Sequence, residues 1–378
     1  MSDVGGRGGG RQTLDPGRGS AGDASTGDRS YRRTFASDNF AGVHPEVVEG
    51  ILRANVGHAT SYGDDPVTSE AEGLFREHFA ENAHVFLTFN GTGANVVGLQ
   101  SMLRPFEAVI CSANSHIYVD ECGAPERFLG SKLVPIATPD GKLTPELVEV
   151  AMVGIGDEHR VQPRVVSLTE STELGTCYSV EELTLLAQWA HERGMLLHLD
   201  GARLSNAAAH LGVGFDVFAG AGVDVLSFGG TKNGAMAAEA VVSFLPSAEK
   251  QLKYIRKQSM QLSSKMRFVA AQFIALLSHD LWRRNASHAN AMALRLGEGA
   301  AQVTGVQIVQ PVEANGVFAS LPRKAIELVQ GEFPFYVWEG GKGPRDVVRW
   351  MASFDTTPED VDAFIRSLTH AMAVTRPA

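Results

Sequence analysis

The sequence predicts an α/β fold with a mostly parallel β-sheet covered by helices on both faces, followed by a smaller α+β unit. Two observations support this prediction. Between residues 34 and 245, short apolar runs typical of buried strands alternate with amphipathic segments typical of helices. After a long helical segment, residues 264–295, several strand patterns follow one another and end in one more helix. This change of rhythm indicates a second domain of different construction.

The elements of the first part follow from apolar runs, periodicity and capping signals. The first helix is placed at residues 45–55, because Pro45 suits the first turn of a helix, and the second at residues 68–78, with Thr68 as its N-cap. Strands are predicted at residues 83–89, 108–112, 165–169, 195–199, 223–228 and 241–245, and helices at residues 94–103 and 180–193. The alternation favours parallel strands joined by crossover helices.

The C-terminal part has its own set of elements. Strands are predicted at residues 306–309, 316–320, 335–337 and 347–353, with a final helix from Pro358 onward. We therefore divide the folded chain into a large domain, residues 34–283, and a small C-terminal domain, residues 284–378.

Residues 1–33 are rich in Gly, Arg, Ser and Asp and contain almost no apolar side chain. Such a segment cannot bury enough surface to offset the entropy of ordering, so it is predicted to be a disordered tail. One Gly-Gly-Arg-Gly-Gly-Gly run, residues 5–10, is similar to RNA-binding tracts. A single copy is weak support for that function, and a passive tail is the favoured interpretation.

Composition narrows the function classes. The 378 residues are 44% hydrophobic and 20% charged, as in an ordinary globular enzyme, and the net charge of -10 argues against a nucleic-acid partner. No apolar stretch is long enough to span a membrane, and the start has no secretory signal. The three cysteines are odd in number and widely spaced, which fits a reducing cytoplasm. Zinc-ligand spacings are missing, so no metal is expected.

Two charged residues follow core strands and carry most of the functional argument. Asp200 ends the apolar run at residues 195–199, and Lys232 follows the run at residues 223–228. A carboxylate that holds a pyridinium nitrogen and an amine that forms a Schiff base are what pyridoxal 5'-phosphate (PLP) chemistry requires. Asp-Gly is also common turn chemistry and most lysines are solvated, but the two motifs together favour the PLP interpretation.

A glycine-rich turn, residues 88–95, joins a predicted strand to a helix and offers a phosphate site at Gly91 and Thr92. Val96 stands where a dinucleotide-binding motif has its third glycine, and the turn lacks the lysine of a P-loop. Taken alone, this segment fits a plain tight turn as well as it fits a phosphate site. Its position ahead of Asp200 and Lys232 favours phosphate binding, because PLP needs one phosphate site.

Other polar residues also occupy places suited to ligand binding. His116 follows a buried strand, where an imidazole can stack on a cofactor ring or move protons, although a structural histidine is the usual alternative. Arg203 follows Asp200 and can reach an oxygen of the cofactor or a substrate carboxylate. Arg349 lies within an apolar run, where arginine is seldom found without an anion. The clusters at residues 37–39 and 62–66 are typical of caps and turns.

Taken together, these motifs resemble the low-specificity L-threonine aldolases, in particular those of pseudomonads. The resemblance covers the chain from Phe35 nearly to its end, outside the tail. The segments that carry it are residues 35–39, 62–65, 90–92, 116 with 120–126, 200–203, 228–234, 264–268, 312–318 and 349.

The resemblance implies a fold-type I PLP enzyme, assembled as a homotetramer of two dimers, that cleaves L-threonine, L-allo-threonine and related compounds such as phenylserine to glycine and an aldehyde. The implied residue roles are as follows. PLP would be held by Lys232, Asp200, Arg203, His116, Gly91, Thr92 and Arg267, and the substrate by Ser37, Arg203, Arg349 and Tyr62.

The general base stays open at this stage. Enterobacterial relatives have a second histidine in the loop after the fourth or fifth strand, and Glu173 takes that place here. Either Glu173 or a water held by His116 could accept the proton of the substrate hydroxyl. Other PLP reactions, such as β-elimination or racemisation, would use the same cofactor residues. A binding protein without catalytic activity is the remaining alternative.

Overall fold

The computed structural model describes residues 33–341 and 343–375. In the described chain, the large domain contains two sets of helices around one sheet, and a smaller sheet follows. The elements of the first half are α1 (Pro45–Ala54), α2 (Pro66–His78), β1 (His84–Thr88), α3 (Gly91–Gln100), β2 (Glu107–Ser112), α4 (His116–Val119), α5 (Ala124–Leu129), β3 (Lys132–Ile136), α6 (Pro145–Ala151), β4 (Gln162–Thr169) and α7 (Val180–Glu192).

The second half continues the large domain and then forms the small one. Its elements are β5 (Leu196–Gly201), α8 (Leu204–Leu211), α9 (Asp216–Gly220), β6 (Val225–Gly229), β7 (Glu239–Ser243), α10 (Ala248–Gln258), α11 (Arg267–Leu277), α12 (Leu281–Ala301), β8 (Gln307–Ile308), β9 (Gly316–Pro322), α13 (Arg323–Gln330), β10 (Tyr336–Glu339), β11 (Arg345–Met351) and α14 (Pro358–Val374).

The large sheet has the strand order β1-β7-β6-β5-β4-β2-β3 within the described residues. Strands β3, β2, β4, β5 and β6 pair in parallel, whereas β7 runs antiparallel to both of its neighbours, β6 and β1. β1 therefore points the same way as the parallel strands. The predicted fold class, a mostly parallel sheet with a smaller α+β domain, is confirmed.

Helices cover both faces of the large sheet and bury its apolar side chains. A cluster of aromatic rings lies on one face, with some pairs edge to face and others stacked. Its members come from α2, β6, α11 and the loops beside them: Phe75, Phe79, Phe215, Phe228 and Phe273. On the other face α3 packs against β6 and β7 through its Val96, Val97 and Leu99. A sheet buried on both faces explains the nearly continuous apolar runs of β5 and β6.

The small domain is a second sheet, of order β10-β11-β9-β8 in the described chain, with antiparallel neighbours throughout. Its core is separate and contains Trp350 and Phe364, whose ring centroids lie 5.0 Å apart. α12 connects the two domains, because Trp282 packs in the large core and Leu296 in the small one. The domain boundary that we predicted after residue 283 falls inside this helix, and the division itself stays a prediction.

The tail prediction for residues 1–33 lies outside the described residues except for Arg33. Arg33 forms ion pairs with Asp355 and with Asp360 of α14, the second at 3.2 Å. Within the described residues, no helix is both long enough and apolar enough to cross a membrane.

Several predicted element boundaries were wrong. The second helix begins at Pro66 and is capped by Asp65, whose side chain accepts a hydrogen bond from the Thr68 N–H, so Thr68 is not the N-cap. The long helical segment at residues 264–295 is interrupted at His279 and Asp280, which both have positive φ. Strand β3 and helix α10 were missed. β3 lies at the edge of the sheet and exposes part of its side chains, which removes the apolar signal of a core strand.

Candidate active site

Several of the polar residues predicted from the sequence lie at one edge of the large sheet. The carboxyl ends of β1, β2, β4, β5 and β6 all lie at this edge, because these strands point in the same direction. Asp200 lies near the end of β5, and the segments that follow the other strands carry the start of α3, His116, Glu173 and Lys232. In open α/β sheets this edge is the usual place for a ligand site.

Asp200 lies near the end of β5 and is 4% exposed. One carboxylate oxygen, Oδ2, accepts a hydrogen bond of 2.8 Å from Asn95 Nδ2, and the other, Oδ1, accepts one of 3.0 Å from the Ala202 N–H. A carboxylate held on both oxygens has a fixed orientation. Such a group can stabilise a positively charged ring nitrogen.

Lys232 lies in a 3-10 turn, Thr231–Asn233, directly after β6. Burial, together with the charge of Arg203, lowers the pKa of Lys232, and the negative charges of Asp38, Asp200 and Glu239 oppose this shift only in part. A lysine with a lowered pKa is more often neutral and is therefore a better nucleophile.

Gly229 allows the lysine turn to pack beside the turn that follows Asp200. A Cβ atom at position 229 would lie only 2.7 Å from the carbonyl oxygen of Ala202. No side chain fits at that distance, so glycine is required for the close approach of the two turns. The Asn233 side chain then anchors the lysine turn by donating a hydrogen bond of 2.9 Å to the carbonyl oxygen of Trp282.

α3 begins at Gly91, three residues before the predicted start at Ala94. The Asn90 side chain caps it by accepting a hydrogen bond of 2.7 Å from the Gly93 N–H. Gly91 and Thr92 thus lie in the first turn, where backbone N–H groups lack intrahelical acceptors and favour an anion. The space where a Gly91 side chain would stand is open.

His116 is half-buried and begins α4. Its ring Nδ1 lies 2.8 Å from Glu121 Oε1. Burial alone would lower the pKa of His116, but the hydrogen bond with Glu121 and the negative charge of Asp200 outweigh burial and raise it.

Glu173 lies in the loop after β4 and contacts the start of α4. Its Oε1 accepts hydrogen bonds from the His116 N–H at 2.6 Å and from the Thr169 hydroxyl at 2.9 Å, whereas Oε2 is buried and has no partner among the described residues. Burial and the charge of Asp200 raise the pKa of Glu173 to about 7. The group can therefore bind and release a proton near neutral pH.

Arg203 forms a buried ion pair that sequence reasoning missed. Its Nε and Nη2 donate to the two oxygens of Asp38 at 2.7 and 2.9 Å, and Asn315 Nδ2 donates to Asp38 Oδ2 at 3.0 Å. Burial by itself raises the pKa of Asp38, but the charge and hydrogen bonds of Arg203 outweigh it, so the pKa is well below its usual range. Asp38 therefore fixes the position of the guanidinium group, which we had assigned to cofactor or substrate alone.

The small domain contributes Arg349 from β11, which is 7% exposed. Its guanidinium carbon lies 4.8 Å from the Trp338 ring, and Nη2 lies 3.5 Å from the carbonyl oxygen of Ala36. Ala36 precedes Ser37, whose hydroxyl accepts a hydrogen bond from the Asn39 N–H as the predicted cap. Arg349 and Ser37 are thus brought together although they are far apart in the sequence.

Tyr62 and Arg267 contact other parts of the large domain. Tyr62 is 50% exposed, and its N–H donates to the carbonyl oxygen of Ser264 at 3.0 Å. Arg267 begins α11, and its Nη1 lies 3.5 Å from the carbonyl oxygen of Gly57. Both therefore lie beside the turns around Gly57 and Ser264.

Comparison with known proteins identifies the family of this chain. The family model described as beta-eliminating lyase matches residues 34–323. The chain is also 44% identical over 345 residues to a low specificity L-threonine aldolase of Pseudomonas aeruginosa, covering 90% of this chain and 99% of the relative. The chain belongs to the low-specificity L-threonine aldolase family. The resemblance inferred from its motifs is confirmed, and the chain is a lyase of this family.

Solved structures extend this likeness to three dimensions. A threonine aldolase of Leishmania major superposes with a TM-score of 0.86 at 30% identity and covers 89% of this chain and 99% of that one. A structure of SPT with PLP superposes with a TM-score of 0.67 at 16% identity and covers 91% and 88%, which shows a shared fold.

The residues at the carboxyl edge of this aldolase-family member fit PLP. A fixed carboxylate, Asp200, and a lysine of lowered pKa, Lys232, lie on adjacent strand ends, and the open first turn of α3 can receive a phosphate. Sequence reasoning missed Asn95 and Asp38 as members of the site. Asn95 gives a weak signal, because it is a buried amide inside the apolar run of α3.

Proposed function

We propose that this chain uses PLP to cleave L-threonine, L-allo-threonine and related β-hydroxy-α-amino acids, such as phenylserine, to glycine and an aldehyde. One observation supports this most strongly. A member of the low-specificity L-threonine aldolase family carries Lys232, Asp200, His116 and Glu173 at a single sheet edge. These residues supply an amine, a fixed carboxylate, an imidazole and a base.

Bound PLP would supply an electron sink for the bond that breaks at the substrate Cα. Lys232 would hold the cofactor covalently and release it to the incoming amino group. Asp200 would keep a proton on the ring nitrogen, and Gly91 and Thr92 would bind the phosphate through backbone N–H groups and the Thr92 hydroxyl. His116 would lie against the ring.

The substrate carboxylate would bind to Arg349, together with Ser37 and Arg203. A carboxylate held by a guanidinium group at a fixed angle also fixes the rotation about Cα, so that the Cα–Cβ bond can face the cofactor ring. Tyr62 and Arg267 would complete the substrate and cofactor sites. Cleavage then requires loss of the β-hydroxyl proton, for which Glu173 is the acceptor best suited by its position and pKa.

We also propose that the protein works as a homotetramer of two dimers in the cytoplasm. The three free cysteines of the chain support a reducing compartment. Sedimentation or light scattering of the purified protein would measure the assembly.

Product analysis tests the reaction. The PLP-loaded protein is expected to release glycine and acetaldehyde in equal amounts from L-threonine and from L-allo-threonine, and glycine and benzaldehyde from phenylserine. Formation of a 2-oxo acid would indicate elimination, and formation of a D-amino acid would indicate racemisation. Either result without an aldehyde would exclude aldol cleavage.

Glu173→Gln is expected to lower kcat/KM for L-threonine by about 10²- to 10⁴-fold, since glutamine cannot accept a proton. In the parent enzyme, activity should fall as the pH drops below about 7, because burial raises the pKa of Glu173 to about 7 and the protonated acid is not a base. The rate profile of the parent and the variant across the neutral pH range measures both effects.

The matched control is Glu181→Gln, an exposed glutamate on α7, which should leave the profile unchanged. If Glu173→Gln instead reacts as fast as the parent and still loses activity as the pH falls, the proton acceptor is another group.

A further inference from the structure

Two buried polar side chains, Glu121 and Asn95, connect His116 with Asp200. Glu121 Oε1 lies 2.8 Å from His116 Nδ1 and also accepts a hydrogen bond of 2.8 Å from Asn95 Nδ2. The same Asn95 nitrogen donates to Asp200 Oδ2 at 2.8 Å. Asn95, Glu121 and Asp200 are 2%, 4% and 4% exposed, so solvent contributes little to their hydrogen bonds. The contacts form one chain from the imidazole to the carboxylate beneath the proposed cofactor.

Chemistry fixes the orientation of the Asn95 amide. Ionised carboxylates only accept hydrogen bonds, and both neighbours of the amide are carboxylates, so its NH₂ group must face them. The two hydrogens of one nitrogen then serve two acidic side chains. Glu121 and Asp200 are held roughly 5 Å apart by this arrangement, a distance at which two negative charges repel each other. Asn95 offsets that repulsion.

The same logic fixes one proton on His116. Since Glu121 Oε1 is an acceptor, Nδ1 of the imidazole must be the donor. The other charged groups that face His116 are Asp200 from β5, Lys232 from the turn after β6, and Glu173, which binds the His116 backbone N–H. Burial and Lys232 lower the pKa of His116, but the hydrogen bond with Glu121 and the negative charges of Asp200 and Glu121 outweigh them and raise it.

We propose that Glu121 and Asn95 are positioning residues, in which Glu121 holds the His116 ring through its Nδ1–H and Asn95 joins this pair to the Asp200 carboxylate. The inference rests on the proposed function and adds to it the residues that position His116. With Nδ1 bound to Glu121, Nε2 is the ring nitrogen of His116 that can accept a proton. The hydrogen bond therefore decides which side of the imidazole can take part in proton transfer in the proposed reaction.

Glu121→Gln tests the proposed role of Glu121, because glutamine has nearly the same shape as glutamate but no negative charge. The measurement is the titration of the His116 ring by NMR in protein without PLP, assigned by comparison with His116→Asn. The pKa of His116 should fall below its value in the parent, since burial then dominates. Glu126→Gln, an exposed residue of α5, is the matched control and should leave the pKa in place.

Asn95→Ala tests the proposed role of Asn95. Unlike Glu121→Gln, this substitution should not lower the pKa of His116. Loss of the bridge leaves Glu121 and Asp200 in mutual repulsion, so His116 should keep its proton at least as firmly as in the parent. The dissociation constant of PLP should rise roughly tenfold or more, because Asp200 loses a charge-assisted hydrogen bond. Gln100→Ala, on the same helix, is the control for helix damage and should bind PLP as the parent does.

The two variants separate a positioning role from simple loss of structure. If Glu121→Gln leaves the His116 titration unchanged, or if both variants lower it alike, the proposal is wrong. Glycine release by the parent enzyme decides the proposed function independently, because the titration is made without cofactor and without turnover.

Discussion

Lys232→Ala is expected to abolish threonine cleavage, with a loss of about 10⁴-fold or more in kcat, the range seen when a covalent catalytic group is removed. The physical reason is that the lysine turn after β6 offers an amine of lowered pKa beside Asp200. A methyl group at this position can neither bind the cofactor covalently nor release it. The rate of glycine formation measures the loss.

A second readout locates the covalent bond itself. Borohydride reduction of the PLP-loaded parent, followed by peptide mass mapping, should place the pyridoxyl label on Lys232. Lys324→Ala, an exposed lysine of α13, should keep full activity and the same label. A label on another residue, or full turnover by Lys232→Ala, would overturn the assignment of the site.

Asp38→Ala is expected to destabilise the fold by about 3–5 kcal/mol, because removal of one partner leaves the buried Arg203 charge without compensation. Asp38 is 2% exposed and binds Arg203 through both carboxylate oxygens. It also binds Asn315, which precedes β9, so the substitution should loosen the contact between the two domains. Denaturant unfolding of the protein without PLP measures the change.

The same ion pair gives a pH dependence with a definite sign. Because Arg203 holds the pKa of Asp38 well below its usual range, the stabilisation is complete above the pKa of an unfolded aspartate, about 4. It is lost as the pH falls from there toward the folded pKa. Asp38→Ala should therefore show a smaller loss of stability on acidification than the parent.

The control is Asp362→Ala, which breaks a bidentate pair with Arg295 on the surface. Both partners of that pair are nearly half exposed, so its loss should change stability by no more than about 1 kcal/mol. If both substitutions lower the free energy of unfolding equally, the Asp38–Arg203 pair stabilises the fold no more than the surface pair does.

The sequence predicted those parts of the site that depend on local patterns. Asp200 and Lys232 each follow an apolar run, and the parallel direction of β5 and β6 is enough to bring their ends together. Gly91 and Thr92 were found in the same way, from a glycine-rich turn between a strand and a helix. In each case the sequence pattern and the local structure that it predicts involve the same few residues.

The parts that were missed depend on tertiary contacts. Asp38 looked like a capping residue, and only the fold brings it to Arg203 and Asn315. Asn95 was quoted as the last residue of a turn, but its role follows from two carboxylates that come from distant segments. Helix boundaries failed for a related reason, because Asp65 and Asn90 cap α2 and α3 earlier than the apolar periodicity suggests.

The antiparallel strand β7 has a consequence for synthesis on the ribosome. Within the part of the chain that the structure describes, β1 is joined to the large sheet through β7 alone, and His84 pairs with Ser243. A nascent polypeptide that has not yet exposed residue 243 therefore carries β1 with its hydrogen-bonding groups unpaired. Because this partner strand follows Lys232 in the sequence, we expect the glycine-rich turn after β1, and with it the phosphate pocket, to reach its final place late in synthesis.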